Sequence, residues 1–110
     1  MTHLKSYTSL EQSKVLANIL PHESADMCYM YLGTEDKEYE NIPICAPAME
    51  GDCACWSLAV LLSVLPTFTI DSSDDHYFRV HCYTYFSEWH NNPVDACYAI
   101  IIKLHEANIL

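Results

Sequence analysis

The stretch from Trp56 to Leu65 constrains the fold of this chain most strongly, because only Ser57 and Ser63 interrupt its apolar residues. A helix over this stretch would be apolar almost all round, and such a helix must be enclosed by the rest of the domain. At about 1.5 Å per residue it would span about 15 Å, half of what a bilayer core requires. Pro66 ends it, since proline disfavours helix in the residue before it. The pattern predicts a central core helix and not a membrane span.

A first helix is predicted from the capping box Thr8-Ser9-Leu10-Glu11. In this motif the Thr8 hydroxyl accepts from the Glu11 amide, and the Glu11 side chain reaches back to the cap. The amphipathic segment that follows would run for about three turns and stop at Pro21.

A third helix is predicted to begin at Asn92. Asparagine is a preferred N-cap, Pro93 suits the first helical position, and Asp95 places an acid in the first turn. We expect Asn108 to close this helix.

Period-two alternation predicts the strands. Residues 28–32 alternate tyrosine with smaller apolar residues, and residues 67–70 are β-prone. Residues 77–86 show the clearest alternation, with Phe78, Val80, Cys82, Thr84 and Phe86 on one face. The polar cluster at 71–75 would join the last two strands as a hairpin.

The predicted order is therefore helix, strand, helix, strand, strand, helix. Its economical arrangement is an α+β two-layer sandwich, in which three helices cover one face of a small, mainly antiparallel sheet of about three strands. We expect a single domain over residues 1–110, with a long charged loop at 34–52, because neither side of that loop could build a core alone.

The opposite face of this sheet would be unusually rich in tyrosine. Tyrosine and arginine are enriched where proteins meet partners, which favours a protein-binding face or a homodimer that packs sheet on sheet. Half-exposed strand tyrosines also occur simply because tyrosine is a good strand former. The candidate partner-binding residues are Tyr29, Tyr31, Tyr77, Arg79, His81, Tyr83 and Tyr85.

Charge and targeting signals narrow the function classes. A formal net charge of −10 argues against direct binding of nucleic acid or anionic lipid, both of which require a positive surface. The amino terminus shows no signal peptide, and no apolar run reaches transmembrane length, so we expect a cytoplasmic protein. In that compartment the six cysteines are expected to be reduced thiols.

Metal binding and catalysis find little support in the sequence. Cys45, Cys53 and Cys55 are weak zinc candidates, since the Cys53-x-Cys55 spacing differs from that of common zinc sites. Cys55 with His76, His81 and the Asp74/Asp75 pair supplies the residue types of a hydrolase without a recognised signature. We expect no cofactor and no enzymatic activity. The histidines that could complete a zinc site are His22, His76, His81 and His90.

Four segments taken together resemble a family of small uncharacterised proteins carried by gut-bacterial genomes, phages and mobile elements. The resemblance covers most of the chain outside residues 34–52. It implies a shared fold and a mobile-element context, and it carries no established activity. The segments are Tyr7–Lys14, Ser24–Met27, Cys55–Ala59 and Pro93–Cys97.

Three functional hypotheses follow. The first is a non-enzymatic accessory protein that acts by protein–protein contacts through the tyrosine face or the charged loop. The second is a small metal-binding or cysteine-dependent hydrolytic domain, and the third is a structural homodimer.

Overall fold

The computed structural model describes residues 5–110 and confirms the α+β class. Over these residues it contains three α-helices and five short strands in two antiparallel sheets. The prediction places about three strands in one sheet, whereas the first two strands pair with each other and the last three form a separate sheet. The helices are α1 (Leu10–Leu16), α2 (Leu58–Val64) and α3 (Pro93–Glu106); the strands are β1 (Met27–Tyr29), β2 (Cys53–Cys55), β3 (Thr69–Ser72), β4 (Phe78–Cys82) and β5 (Tyr85–Phe86).

Helix α1 begins one residue later than the sequence predicts. Ser9 is the N-cap: its hydroxyl accepts from the Gln12 amide at 3.2 Å, and the Gln12 side chain accepts from the Ser9 amide at 3.0 Å. Thr8 cannot cap, because it is buried and its Oγ1 accepts from the backbone amide of Trp56. The helix also ends at Leu16, well before Pro21.

The first sheet pairs β1 with β2, so that Tyr29 lies opposite Cys53. All residues of both strands are buried. Residues 34–52 form no helix or longer strand, and hydrogen bonds anchor this loop. Ile44 exchanges backbone hydrogen bonds with Cys28, and the Asp52 carboxylate accepts from the amides of Tyr31 and Met49. These two hydrogen bonds lower the pKa of Asp52.

The second sheet has the order β3-β4-β5 and contains the predicted hairpin. The long strand predicted at 77–86 is interrupted, however. β4 ends at Cys82, the chain reverses over Tyr83 and Thr84, and Tyr85 pairs back with Cys82. Tyr83 adopts a left-handed backbone conformation with φ of 55° to make this turn.

Helix α2 is shorter and less enclosed than predicted. Ser57 caps it, which leaves Trp56 just outside the helix but fully buried in the core. Within the helix only Leu61 is buried, while Ala59 and Ser63 are exposed. The prediction of a helix enclosed all round is therefore wrong, and α2 packs on the core along one side.

Helix α3 matches the prediction. The Asn92 side chain accepts from the Asp95 amide at 2.8 Å, and Pro93 stands at the start. At the other end Asn108 is left-handed, with φ of 61°, and its amide donates to the His105 carbonyl while the Ile109 amide donates to Leu104. These paired bonds form a Schellman closure. The fully buried face of α3 that packs into the core comprises Val94, Ala96, Cys97, Ile100, Ile101 and Leu104.

Among residues 5–110, none of the helices combines the length and the apolar composition that a membrane span requires.

Candidate partner-binding surface

The outer face of the second sheet carries a cluster of charged and aromatic side chains. Residues that pair directly across an antiparallel sheet share a face, and the register pairs Asp71 with Arg79, Thr69 with His81, and His81 with Phe86. The alternate residues of β4 point inward, where Val80 and Cys82 are buried. We call this face, with Trp89 packed against it, the Arg79 surface: Thr69, Asp71, Arg79, His81, Phe86 and Trp89.

Arg79 is held in place from several directions. Its guanidinium carbon lies 4.8 Å from the centroid of the Phe86 ring and 4.7 Å from that of the Trp89 ring. Both distances are typical of cation–π contacts. Its Nη2 and Nε atoms donate to one Asp71 oxygen at 3.0 and 3.3 Å. The side chain is therefore ordered before any partner arrives, which lowers the entropy cost of binding.

The hydrogen bonds from Arg79 are the main reason that the pKa of Asp71 lies below its usual range. The carboxylate therefore stays ionised at neutral pH. The His81 imidazole also lies beside the Asp71 carboxylate. Its Nδ1 is 3.5 Å from Asp71 Oδ2, and its ring centroid is 4.8 Å from that of Phe86. The Nδ1 atom is buried and makes no hydrogen bond within the described part of the chain.

The two rings that hold Arg79 remain open to solvent. Phe86 is 42% exposed and Trp89 is 44% exposed, and the adjoining turns carry the exposed Tyr77 and Tyr83. Tryptophan, tyrosine and arginine dominate the residues that contribute most to protein–protein binding. An ordered arginine between a carboxylate and two accessible rings can bind a partner.

The seven residues predicted from the sequence do not all lie together. Arg79 and His81 share the outer face as predicted. Tyr29 is buried in the first sheet, 3% exposed, and its hydroxyl donates to the Thr8 carbonyl, so its assignment to an exposed face is wrong. Tyr85 is also wrongly assigned, because it packs against the core. The exposed Tyr31 follows the first sheet, whereas Tyr77 and Tyr83 lie in the loops that flank β4.

The turn at Tyr83 and Thr84 explains the error for the last strand. Alternation carried through a continuous strand would put Tyr85 outside and Phe86 inside, whereas the reversal puts Tyr85 beside the buried Cys82 and Phe86 beside His81. Two-residue hairpin turns usually contain Asn-Gly, Asp-Gly or another glycine. Tyr83 and Thr84 carry no such signal, so alternation alone could not reveal the reversal.

Two other members of the Arg79 surface were missed for different reasons. The sequence predicts Asp71 in the turn at 71–75, whereas the structure extends β3 through Ser72 and pairs Asp71 with Arg79. Trp89 lies outside every strand, in the segment between β5 and α3. Trp89 belongs to the Arg79 surface only through its tertiary contact with Arg79.

The cysteine candidates do not form a metal centre. Cys53 and Cys55 are buried in β2, whereas Cys45 is exposed in the loop. Among residues 5–110 no group of three or more Cys, His, Asp or Glu is placed to hold a metal ion. The Cys55 thiol instead lies 3.5 Å from the Thr8 hydroxyl and 3.4 Å from the Thr8 carbonyl oxygen, which it can donate to.

Burial raises the pKa of the thiols of Cys28, Cys53, Cys55 and Cys82, and that of Cys97 to about 12. Because the thiolate is the reactive and metal-binding form, these groups are poor nucleophiles at neutral pH.

Thiol labelling tests this arrangement. We expect iodoacetamide at neutral pH to add one group rapidly to the native protein, at the exposed Cys45, and six after denaturation. Intact-mass spectrometry counts the adducts, and Cys45→Ser is expected to leave the native protein unlabelled. Rapid labelling of two or more native thiols would contradict the burial described above.

A groove of about 640 Å³ runs along α3, and three of its polar side chains, Lys5, Gln12 and Asp95, hydrogen-bond to one another. Asp95 Oδ1 accepts from Lys5 Nζ and from Gln12 Nε2, both at 2.8 Å, and Asp95 Oδ2 accepts from Asn92. Burial alone would raise the pKa of Asp95, but these hydrogen bonds outweigh it and lower the pKa. The network ties the amino-terminal segment and α1 to α3, so we assign it a structural role.

Comparison of the chain with known protein families, with curated proteins and with solved structures finds no match. The resemblance to the mobile-element family therefore stays a prediction.

Proposed function

We propose that this protein is a non-enzymatic interaction protein that binds another protein through the Arg79 surface. The observation that carries the proposal is the ordering of Arg79 by Asp71, Phe86 and Trp89, while both rings stay nearly half exposed. A partner that covers the two rings would desolvate an arginine that is already positioned. Contacts of this kind, central and apolar around an ordered charge, are typical of binding hot spots.

The charge distribution supports a basic partner. The chain has five lysines and arginines against fifteen acidic residues. Four of the basic side chains pair with carboxylates, and the fifth, Lys14, lies over the Tyr39 ring. Within the described residues, most of the acidic side chains therefore have no lysine or arginine opposite them. Complementary charge of this sign speeds encounter with a basic protein and disfavours acidic ones.

Two surface variants test the proposal. We expect Arg79→Glu and Trp89→Ala each to reduce recovery of the partner at least about tenfold, which corresponds to a loss of about 1.4 kcal/mol in binding. The measurement is quantitative mass spectrometry of the complex purified gently from the native host. Circular dichroism and thermal unfolding would confirm that the variants fold.

Met49→Ala is the matched control. Met49 is an apolar side chain in the 34–52 loop and, at 74%, is more exposed than Trp89. We expect this variant to recover the partner at the wild-type level. If Met49→Ala lost the partner and both Arg79-surface variants kept it, the loop would be the interface and the proposal would be wrong.

In the mobile-element setting that the resemblance implies, the partner would be a host protein.

A further inference from the structure

The edge of the second sheet offers a binding mode for the proposed partner. β3 is the outermost strand of the order β3-β4-β5, and within residues 5–110 it pairs with β4 alone. Thr69, Ile70 and Ser72 are exposed and Asp71 is half-buried. A strand at the edge of a sheet presents backbone donors and acceptors that can pair with another chain.

The hydrogen-bond pattern of β4 shows which groups of β3 face outward. Phe78 exchanges backbone hydrogen bonds with His90, and the Val80 carbonyl accepts from Ser87, so these residues bond away from β3. Bonding alternates along an antiparallel strand. Arg79 and His81 therefore bond toward β3, to Asp71 and Thr69. The N–H and C=O groups of Ile70 and Ser72 consequently point out at the free edge.

Two common devices that prevent strand addition, lysine and proline, do not occur in the four residues of β3, Thr-Ile-Asp-Ser. Its acidic member, Asp71, is turned toward Arg79 on the outer face. Ile70 and the preceding Phe68 are 37% and 42% exposed, so an added strand would find apolar contacts beside the backbone groups.

Charge identifies the occupant. The hairpin that ends β3 carries Asp74 and Asp75, both exposed, on a chain of net charge −10. A second copy of this chain would bring a further −10 to the interface, which opposes self-pairing. We propose that β3 accepts an extended, basic segment of the partner as an added strand, continuous with the Arg79 surface. This inference rests on the proposed function and specifies how the partner binds.

The test uses a synthetic eight-residue peptide of alternating lysine and valine, with an alternating glutamate and valine peptide as the charge control. We expect the lysine peptide to slow hydrogen exchange of the Ile70 and Ser72 amides at least about tenfold, measured by NMR, because these amides acquire partners. N-methylation of alternate residues of the peptide, which removes its donors, should abolish the effect. Absence of protection at saturating peptide, equal protection by the glutamate peptide, or protection that survives N-methylation would each overturn the inference.

A protein variant separates this inference from the proposed function. Ile70→Pro removes the outward N–H at a position where an edge strand tolerates proline, and Ile70→Val keeps it. We expect the proline variant to lose the peptide and the valine variant to bind it within about twofold. If Ile70→Pro folds and still recovers the native partner, whereas Arg79→Glu does not, strand addition is wrong and the Arg79 surface stands. If Ile70→Pro does not fold, the N-methylated peptide decides.

Discussion

Replacing Trp56 with alanine is expected to lower the free energy of unfolding by about 3 to 5 kcal/mol, since it removes the largest fully buried side chain. The Trp56 indole N–H also donates to the Ser24 hydroxyl at 2.9 Å, and that partner would be left without it. The loss therefore combines a core cavity with a broken hydrogen bond. Chemical denaturation, followed by circular dichroism, measures it.

Trp89→Ala is the matched control for this prediction. Trp89 is 44% exposed, and its removal leaves a solvated site in place of a cavity. We expect a change of less than about 1 kcal/mol in the free energy of unfolding. A loss of this small size in Trp56→Ala would instead place Trp56 at the surface and contradict the core described here.

The second large effect is expected from Leu61→Ala in α2. Leu61 is fully buried, so truncation should cost about 2 to 5 kcal/mol through lost burial and a residual cavity. Alanine is the best helix former, so weakened helix propensity cannot account for such a loss. The measurement is denaturant unfolding. If the slope of the free energy of unfolding against denaturant concentration is unchanged, the loss is assigned to the folded core.

Leu62→Ala separates a one-sided helix from an enclosed one. Leu62 is the next residue along α2 and is only partly buried. We expect its truncation to cost less than half of the Leu61 value. Equal costs at the two positions would show that α2 is enclosed all round, as its apolar sequence alone predicts.

Local chemistry made much of the fold predictable. The N-cap of α3 at Asn92 and its closure at Asn108 depend on contacts within a few residues, and both predictions are confirmed. The β3–β4 hairpin is confirmed for the same reason, since neighbouring alternating strands with a polar turn between them have few other ways to pair.

The errors arise where a distant residue decides the outcome. Thr8 does not cap α1, because its hydroxyl accepts a hydrogen bond from the Trp56 amide, which is far away in the sequence. Strand β2 is three residues long, too short to show alternation, and it is recognisable as a strand only from its pairing with β1 across the 34–52 loop. The apolar residues of α2 exceed what the core covers, so composition overstated its burial.

The candidate surface was predicted only in part. Arg79 and His81 were found because β4 alternates cleanly up to Cys82. The sequence does not predict Phe86 on this surface, because the turn that puts it there contains no glycine. It does not predict Trp89 either, because Trp89 lies outside any strand and joins the surface through a cation–π contact. The proposed binding face is thus still on the sheet predicted from the sequence, but its aromatic residues are Phe86 and Trp89 and not the predicted tyrosines.

Site-specific photo-crosslinking in the native host tests the central claim most directly. A benzophenone amino acid in place of Phe86 would lie within the Arg79 surface, and the same group in place of Met49 would lie in the loop. We predict a covalent adduct with a different, basic protein from position 86 and none with that protein from position 49. An adduct from position 49 alone, or a crosslink from position 86 only to a second copy of this chain, would contradict the account.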